Sequence, residues 1–225
     1  VTDSVTNYFF TTSETANENL ARTGVSEDRI FFVGNTMIDT LLDNADRLKK
    51  PDLWEDIGLL EKDYFVLTLH RPGNVDRPDN LAAALRSIGE GVRGKAVVFP
   101  VHPRSAKSLE EAEGLPENIF FTDPQPYLEF IFLVKHAKGV ITDSGGITEE
   151  ATVMGVPCMT LRDTTERPET ITVGTNELVG TDPDALSPFL NRLFAGEWKK
   201  GAIPEKWDGK TGERIVAALE RILCR

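Results

Sequence analysis

Gly139-Val140-Ile141-Thr142-Asp143-Ser144-Gly145-Gly146-Ile147-Thr148-Glu149-Glu150 reads as a buried strand running through a glycine turn into a helix. The apolar run supplies the strand, and Glu149 to Met154 continue with a helical pattern. Two glycines in the turn let a ligand approach the backbone closely. The first N–H groups of the helix have no partner within it and point outward, where the helix dipole favours negative charge. A strand feeding such a turn is a ready-made anion site. Ser144 can cap the helix or bind a phosphate oxygen, and Glu150 can accept hydrogen bonds from ribose hydroxyls. By spacing alone, a capped helix start explains the segment equally well.

Working outward, short apolar runs alternate with helical patterns along the whole chain. Strands are expected at Tyr8–Phe10, Ile30–Val33, Phe65–Leu69, Ala96–Val101, Ile119–Thr122, Gly139–Thr142, Cys158–Leu161 and Glu177–Val179. Several are unbroken runs of β-branched or aromatic residues, as in strands buried on both faces of a parallel sheet. Helices are expected between them. This alternation specifies an α/β fold, a Rossmann-like doubly wound parallel sheet. From Phe65 onward, about six strand-helix units make a complete sheet, and the two earlier strands are left over. Residues 1 to about 34 therefore read as the tail of another domain. Lys49-Lys50-Pro51-Asp52 and the residues up to Asp63 read as a polar connection, and Glu197–Asp208 as an ordered loop.

Composition narrows the partners. A net charge of −11 argues against a nucleic-acid backbone or an anionic membrane, which need a basic face. A small phosphorylated ligand needs only local donors. No apolar run approaches the roughly 20 residues required to span a bilayer. Cys158 and Cys224 lack metal-site spacing, and a cytoplasmic, reducing setting is expected. The first residue is Val1 rather than Met, so an upstream segment is expected.

In a doubly wound sheet, ligands bind beyond the carboxyl ends of the strands. The polar residues that follow successive strands are His70-Arg71, His102, Asp123 to Gln125, the Ser144 turn, and Arg162 to Arg167. Their convergence on one edge is the strongest functional signal. His70 can donate to a phosphate or act as an acid, or it can be a loop histidine bonded to backbone. His102, held extended by Pro103, fits a structural role at least as well. His136 reads as a cation at a helix C-terminus. Arg167, before Pro168 at a helix start, suits a pyrophosphate, or an ion pair with Glu166 or Glu169. Gln125 and a backbone group at Phe130 can meet a nucleobase, although core packing is the default for Phe130. The turn has neither the Gly-Lys-Ser/Thr of a P-loop nor a G-x-G-x-x-G spacing, so no nicotinamide cofactor is expected. No metal is expected at Glu149-Glu150.

Thr142 to Ala151, Gly155-Val156-Pro157 and Arg162-Asp-Thr-Thr-Glu-Arg-Pro-Glu169 resemble the non-hydrolysing UDP-N-acetylglucosamine 2-epimerases. So do Thr11 to Glu14, Val33 to Asp39, Leu69-His-Arg-Pro72, Pro100-Val-His-Pro103 and Gly174 to Thr181. The resemblance implies the C-terminal half of a GT-B fold plus the last part of the N-terminal half. On that basis residues 1–34 would be a remnant of the N-terminal domain and hinge. Residues 35–225 would be the UDP-binding domain, with the last helix packing back toward the N-terminal part. It implies Ser144, Gly145 and Gly146 at the phosphates, Glu150 at the ribose and Arg167 at the pyrophosphate. Gln125 and the Phe130 backbone would face the nucleotide, and His70 the reacting centre. Arg71 and His102 match positions touching a second, regulatory UDP-sugar. The implied ligands are UDP and a UDP-N-acetylhexosamine, with no cofactor, and a homodimer stays open.

The implied reaction inverts C2 by eliminating UDP and adding it back to the other face of the glycal. Two departures stand out. Gly73 replaces the family's usual Glu, and the family's catalytic carboxylates lie in an N-terminal domain that this sequence does not resemble. The chain alone is therefore expected to bind UDP weakly without epimerising. A UDP-sugar glycosyltransferase of the same architecture, a hydrolysing epimerase and a non-catalytic nucleotide-binding module are the alternatives.

Overall fold

A computed structural model describes residues 2–224. Its contacts divide the chain into two compact units, one of residues 2–46 with 203–224 and one of 47–202. In chain order the first unit begins with α1 (Thr2–Val5), β1 (Phe9–Thr11), α2 (Glu14–Arg22), β2 (Ile30–Phe32) and α3 (Thr36–Asp43). The second contains α4 (Leu53–Ile57), β3 (Tyr64–Thr68), α5 (Pro72–Val75), α6 (Pro78–Gly91) and β4 (Ala96–Pro100). It continues with α7 (Pro103–Glu110), β5 (Ile119–Thr122), α8 (Tyr127–His136), β6 (Gly139–Thr142) and α9 (Gly145–Val153). It ends with β7 (Cys158–Thr160), α10 (Pro168–Thr172), β8 (Asn176–Leu178) and α11 (Leu186–Phe194), and α12 (Thr211–Leu223) returns to the first unit.

The first unit is built on β1 and β2, paired in parallel with Phe9 opposite Ile30. Ser13 caps α2 by accepting from the Ala16 N–H, and Asn35 caps α3 by accepting from the Met37 N–H. Trp207 is buried and its indole donates to the Thr12 carbonyl. Asp39 on α3 accepts from the Gly212 N–H at the start of α12. These ties explain why the division falls at residue 46 rather than near 34: α3 packs with α12. Gly34 has a φ of +106°, and a Cβ there would lie 2.2 Å from the Lys206 carbonyl oxygen, so the turn after β2 admits only glycine.

The second unit carries the complete sheet. Its six strands run in the order β5-β4-β3-β6-β7-β8, every neighbouring pair parallel. That is the 3-2-1-4-5-6 order of a doubly wound sheet, and it reverses between β3 and β6. The period-2 alternation of a strand sorts the side chains to the two faces. Phe65, Leu67, Phe99, Ile141 and Met159 pack under Leu81, Leu85 and Ile88 of α6 and Leu186, Leu190 and Leu193 of α11. Tyr64, Val66, Val98, Val140 and Cys158 face Leu133 and Val134 of α8 and Ala151 of α9. Each such side chain, fully removed from water, contributes about 1.5–3 kcal/mol before entropy. Burial pushes the Cys158 thiol up to about 12, so it stays a neutral core residue.

The connection between Lys49 and Asp63 is more ordered than its polarity suggests. It contains α4, whose Trp54 is buried edge-on against Tyr64, with ring centroids 5.3 Å apart at 84°. Trp54 and buried Leu59, with Leu53 and Ile57 packed beside them, fold this polar stretch onto the sheet. No helix among the described residues is long and apolar enough to cross a membrane.

Candidate functional site

Where the strand order reverses, the loops after β3 and β6 diverge to opposite faces of the sheet and leave a crevice. A cleft of about 380 Å³ opens there. Its lining includes His70 after β3, His102 after β4, Gln125 and Phe130 around the start of α8, and Ser144 and Ile147 at the start of α9. Five of the residues singled out in the sequence thus meet around one cavity. Thr68 and Thr142, opposite each other in register, join their hydroxyls at 2.6 Å across the reversal.

Ser144 is the N-cap residue of α9, yet its side chain makes no capping bond. Its own N–H donates to the Thr142 hydroxyl at 2.9 Å. The hydroxyl is therefore available to the cleft, beside the outward N–H groups of the first turn. Gly145 has open space where a Cβ would stand; the nearest other atom is Glu166 Oε2 at 3.9 Å. Packing within the unit does not require this glycine, unlike Gly139, where a Cβ would press on Leu193 and Phe65 at 3.1 and 3.2 Å.

Three arginines surround the turn, each matched to a carboxylate. Arg162 grips Glu166 with both terminal nitrogens at 2.7 Å, and Arg71 approaches the same carboxylate at 3.8 Å. The Arg162 hydrogen bonds hold the Glu166 carboxyl down at about 2. Arg167 donates from Nε to Glu149 and from Nη1 to the Glu166 carbonyl at 3.2 Å. The carboxylate its Nε grips is Glu149 on α9. Arg167 is not among the residues lining the cleft, and Pro168 starts α10 immediately after it.

Glu150 is buried and accepts from the Tyr127 hydroxyl at 3.0 Å. Burial, only partly offset by that bond, raises its carboxyl to about 7. A buried carboxyl poised near neutrality has the character of a functional group, although Glu150, like Gly145 and Gly146, is not among the residues lining the cleft.

The aromatic edge differs in detail from the sequence expectation. The Phe130 N–H is committed to the Pro126 carbonyl at 2.8 Å within the first turn of α8. Phe130 also packs against the core beneath the sheet while lining the cleft. Gln125 donates from Nε2 to the Asp123 carbonyl at 2.8 Å. His102 caps α7, its Nδ1 accepting from the Arg104 N–H at 3.2 Å, while its ring lies 5.8 Å from that of His70. It therefore has a structural role and also lines the cleft. His136 is a helix-terminal residue, as its position implies, but its ring also stacks on Phe132 and meets Trp54 edge-on. Gly73, on the first turn of α5, has nothing within 4 Å of a built Cβ.

Sequence reasoning gave Asp143 and Tyr127 no role, placed Arg162 only within the run after β7, and weighed Glu166 only as a partner for Arg167. Asp143 is wholly buried, and its carboxylate collects N–H groups from the loop after β3. The available signal was its position: a carboxylate directly after a fully buried strand must be paired where it lands.

The family model described as UDP-N-acetylglucosamine 2-epimerase matches residues 1–220. The UDP-N-acetylglucosamine 2-epimerase of Methanocaldococcus jannaschii is 41% identical over 97% of this chain and 62% of its own length. That of Escherichia coli K12 is 36% identical over 95% of this chain and 60% of its own. The crystal structure of the M. jannaschii enzyme in complex with UDP-GlcNAc and UDP superposes with a TM-score of 0.83. It is 39% identical over 98% of this chain and 62% of that one. The chain thus spans about 60% of the length of these relatives. With its six-stranded Rossmann-like sheet and its match across nearly the whole length, the chain belongs to the UDP-N-acetylglucosamine 2-epimerase family.

Proposed function

We propose that this protein is a UDP-N-acetylglucosamine 2-epimerase and that residues 47–202 provide its UDP-binding side. The observation that carries the reading is the meeting of His70 and Ser144 across the point where the strand order reverses, in a cleft also lined by Gln125 and Phe130. In this reading the diphosphate sits on the Ser144 hydroxyl and the first N–H groups of α9, including those of Gly145 and Gly146, with Arg167 nearby. The ribose hydroxyls donate to Glu150. The uracil lies against the Phe130 ring with Gln125 at its edge. Arg71 and His102 contact a second, regulatory UDP-sugar at the rim.

The chemistry follows from where charge develops. A base takes the C2 proton while the C1–O bond to UDP breaks, giving UDP and 2-acetamidoglucal, whose new double bond joins C1 and C2. UDP then adds back at C1 as a proton arrives at C2 from the other face. The departing oxygen carries the developing negative charge, so donors aimed at it lower the barrier most. His70 supplies such a donor at the reacting centre, and the start of α9 holds the diphosphate between the two half-reactions.

Turnover of UDP-N-acetylglucosamine by the complete protein in deuterated water tests the reading. Deuterium at C2 of the epimeric product is expected. Absence of turnover, or transfer of the sugar to an acceptor without C2 exchange, would overturn it.

A further inference from the structure

We propose that Asp143 is a positioning residue for His70: it fixes the proton on Nδ1 and so makes Nε2 the nitrogen that exchanges a proton with the ligand. The inference deepens the role proposed above for His70 and rests on it.

The geometry is specific. The Asp143 carboxylate has no exposure to solvent. It accepts from the His70 N–H at 3.1 Å, the Arg71 N–H at 2.9 Å and the Asn74 side-chain amide at 3.0 Å. Its Oδ1 also lies 2.9 Å from His70 Nδ1. Both carboxylate oxygens already accept N–H groups, which makes Asp143 the acceptor and Nδ1 the donor in that contact. The backbone bonds to residues 70 and 71 hold the ring's anchor point, and the side-chain bond sets the ring's rotation. With Nδ1 engaged, Nε2 is left for the cleft that His70 lines. A buried carboxylate fixing an imidazole tautomer is a recurring device where the other nitrogen handles protons.

Asp143 also precedes Ser144 directly. One residue therefore sets the imidazole, and the next sets the diphosphate, across the reversal of the sheet. The other charged or titratable groups facing His70 are Arg71, whose Nε donates to the Asp143 carbonyl at 3.0 Å, and His102, ring to ring at 5.8 Å. Neither reaches Nδ1. A purely structural reading makes Asp143 only an anchor for the loop of residues 70–74. The two readings differ in what happens once the imidazole is gone.

The test uses the complete protein with UDP-N-acetylglucosamine as substrate and compares D143N, H70Q, D143N/H70Q and N74A. D143N is expected to lower kcat about 100-fold with KM within about threefold, the scale of losing an outer partner of a working histidine. The double variant is expected to match H70Q, because a residue acting through His70 has nothing left to act on. N74A, which removes another tie of the same carboxylate, is expected to keep kcat within about threefold. Nitrogen-15 spectra of the wild-type ring, assigned with H70Q, should show the proton on Nδ1. Losses that multiply in the double variant, an N74A loss equal to that of D143N, or a wild-type ring protonated only on Nε2 would each overturn the proposal. An inactive wild type would instead count against the epimerase reading, while the ring spectrum would still decide the role of Asp143.

Discussion

Replacing Gly145 with alanine separates ligand binding from folding at the turn that opens α9. A Cβ built at Gly145 meets nothing nearer than Glu166 Oε2 at 3.9 Å, and the backbone there does not need positive φ. Gly→Ala at such a site restricts the unfolded chain and stabilises by about 0.4–1 kcal/mol. For a chain of this size that is a rise in Tm of roughly 1–4 °C. The new methyl, however, stands where a phosphate would approach the backbone. Losing one charge-assisted hydrogen bond costs about 1.5–3 kcal/mol, or roughly 10- to 150-fold in affinity. G145A should therefore melt at or above the wild-type temperature in calorimetry and bind UDP at least tenfold more weakly by titration. G174A is the matched control, because a Cβ at Gly174 would collide with Thr152 Cγ2 and Oγ1 at 2.5 Å and with the Thr170 carbonyl oxygen at 2.6 Å. It should lose stability, by about 1–3 kcal/mol for an overpacked site. UDP affinity unchanged in G145A, or a Tm lowered by several degrees, would refute the reasoning.

Three further outcomes follow from other parts of the second unit and from the cysteines. The Glu150 carboxyl ionises near 7 in the folded protein against an ordinary 4.5. Folding therefore loses about 3 kcal/mol as pH rises from 4.5 to 7, and nothing more above that. Denaturant titrations at pH 5 and pH 7.5 should show E150Q without this slope, more stable than wild type at the higher pH, yet weaker for UDP. Leu85, fully buried between α6 and the sheet, should cost about 2–5 kcal/mol when cut to alanine, read as a lower denaturant midpoint with unchanged m. A thiol reagent should label one cysteine per native chain, exposed Cys224, and two after unfolding, because Cys158 is buried with its thiol raised to about 12.

The fold was legible because its determinants are local and periodic. Phe65 to Leu69 and Gly139 to Thr142 are short apolar runs bounded by polar turns, which only a sheet covered on both faces accommodates. The strand order was legible only as a class, since nothing in β3 or β6 alone says that they pair. Site residues were visible where they follow a strand directly, as His70 and Ser144 do. Arg167 was visible, but its partner was not. Glu149 lies 18 positions back, and only the packing of α10 on α9 brings the two together. Tyr127 was missed for a similar reason, since an aromatic near a helix start looks like core until its hydroxyl is seen on Glu150. The helix in the Lys49–Asp63 connection is docked by Trp54, Leu59 and their neighbours on a distant core cluster, contacts that no local pattern encodes.

The distribution of carboxylates argues that the start of α9 was shaped for a ligand rather than for stability. Asp143, Glu149 and Glu150 are all nearly fully buried within eight residues. Burying ionisable groups is costly unless each is matched. Asp143 is matched by the loop after β3 and Glu149 by Arg167, and the first of these ties holds His70 at the cleft. Among the described residues Glu150 is matched only by a neutral hydroxyl, and its carboxyl is left near neutrality. A sequence selected for stability alone would place a neutral residue there. Retaining a carboxyl that weakens the fold, next to a turn whose serine makes no capping bond and whose glycine fills no packing need, is economical only if something binds there that needs all three. The E150Q and G145A variants measure that trade from both sides: each should gain or hold stability while losing the ligand.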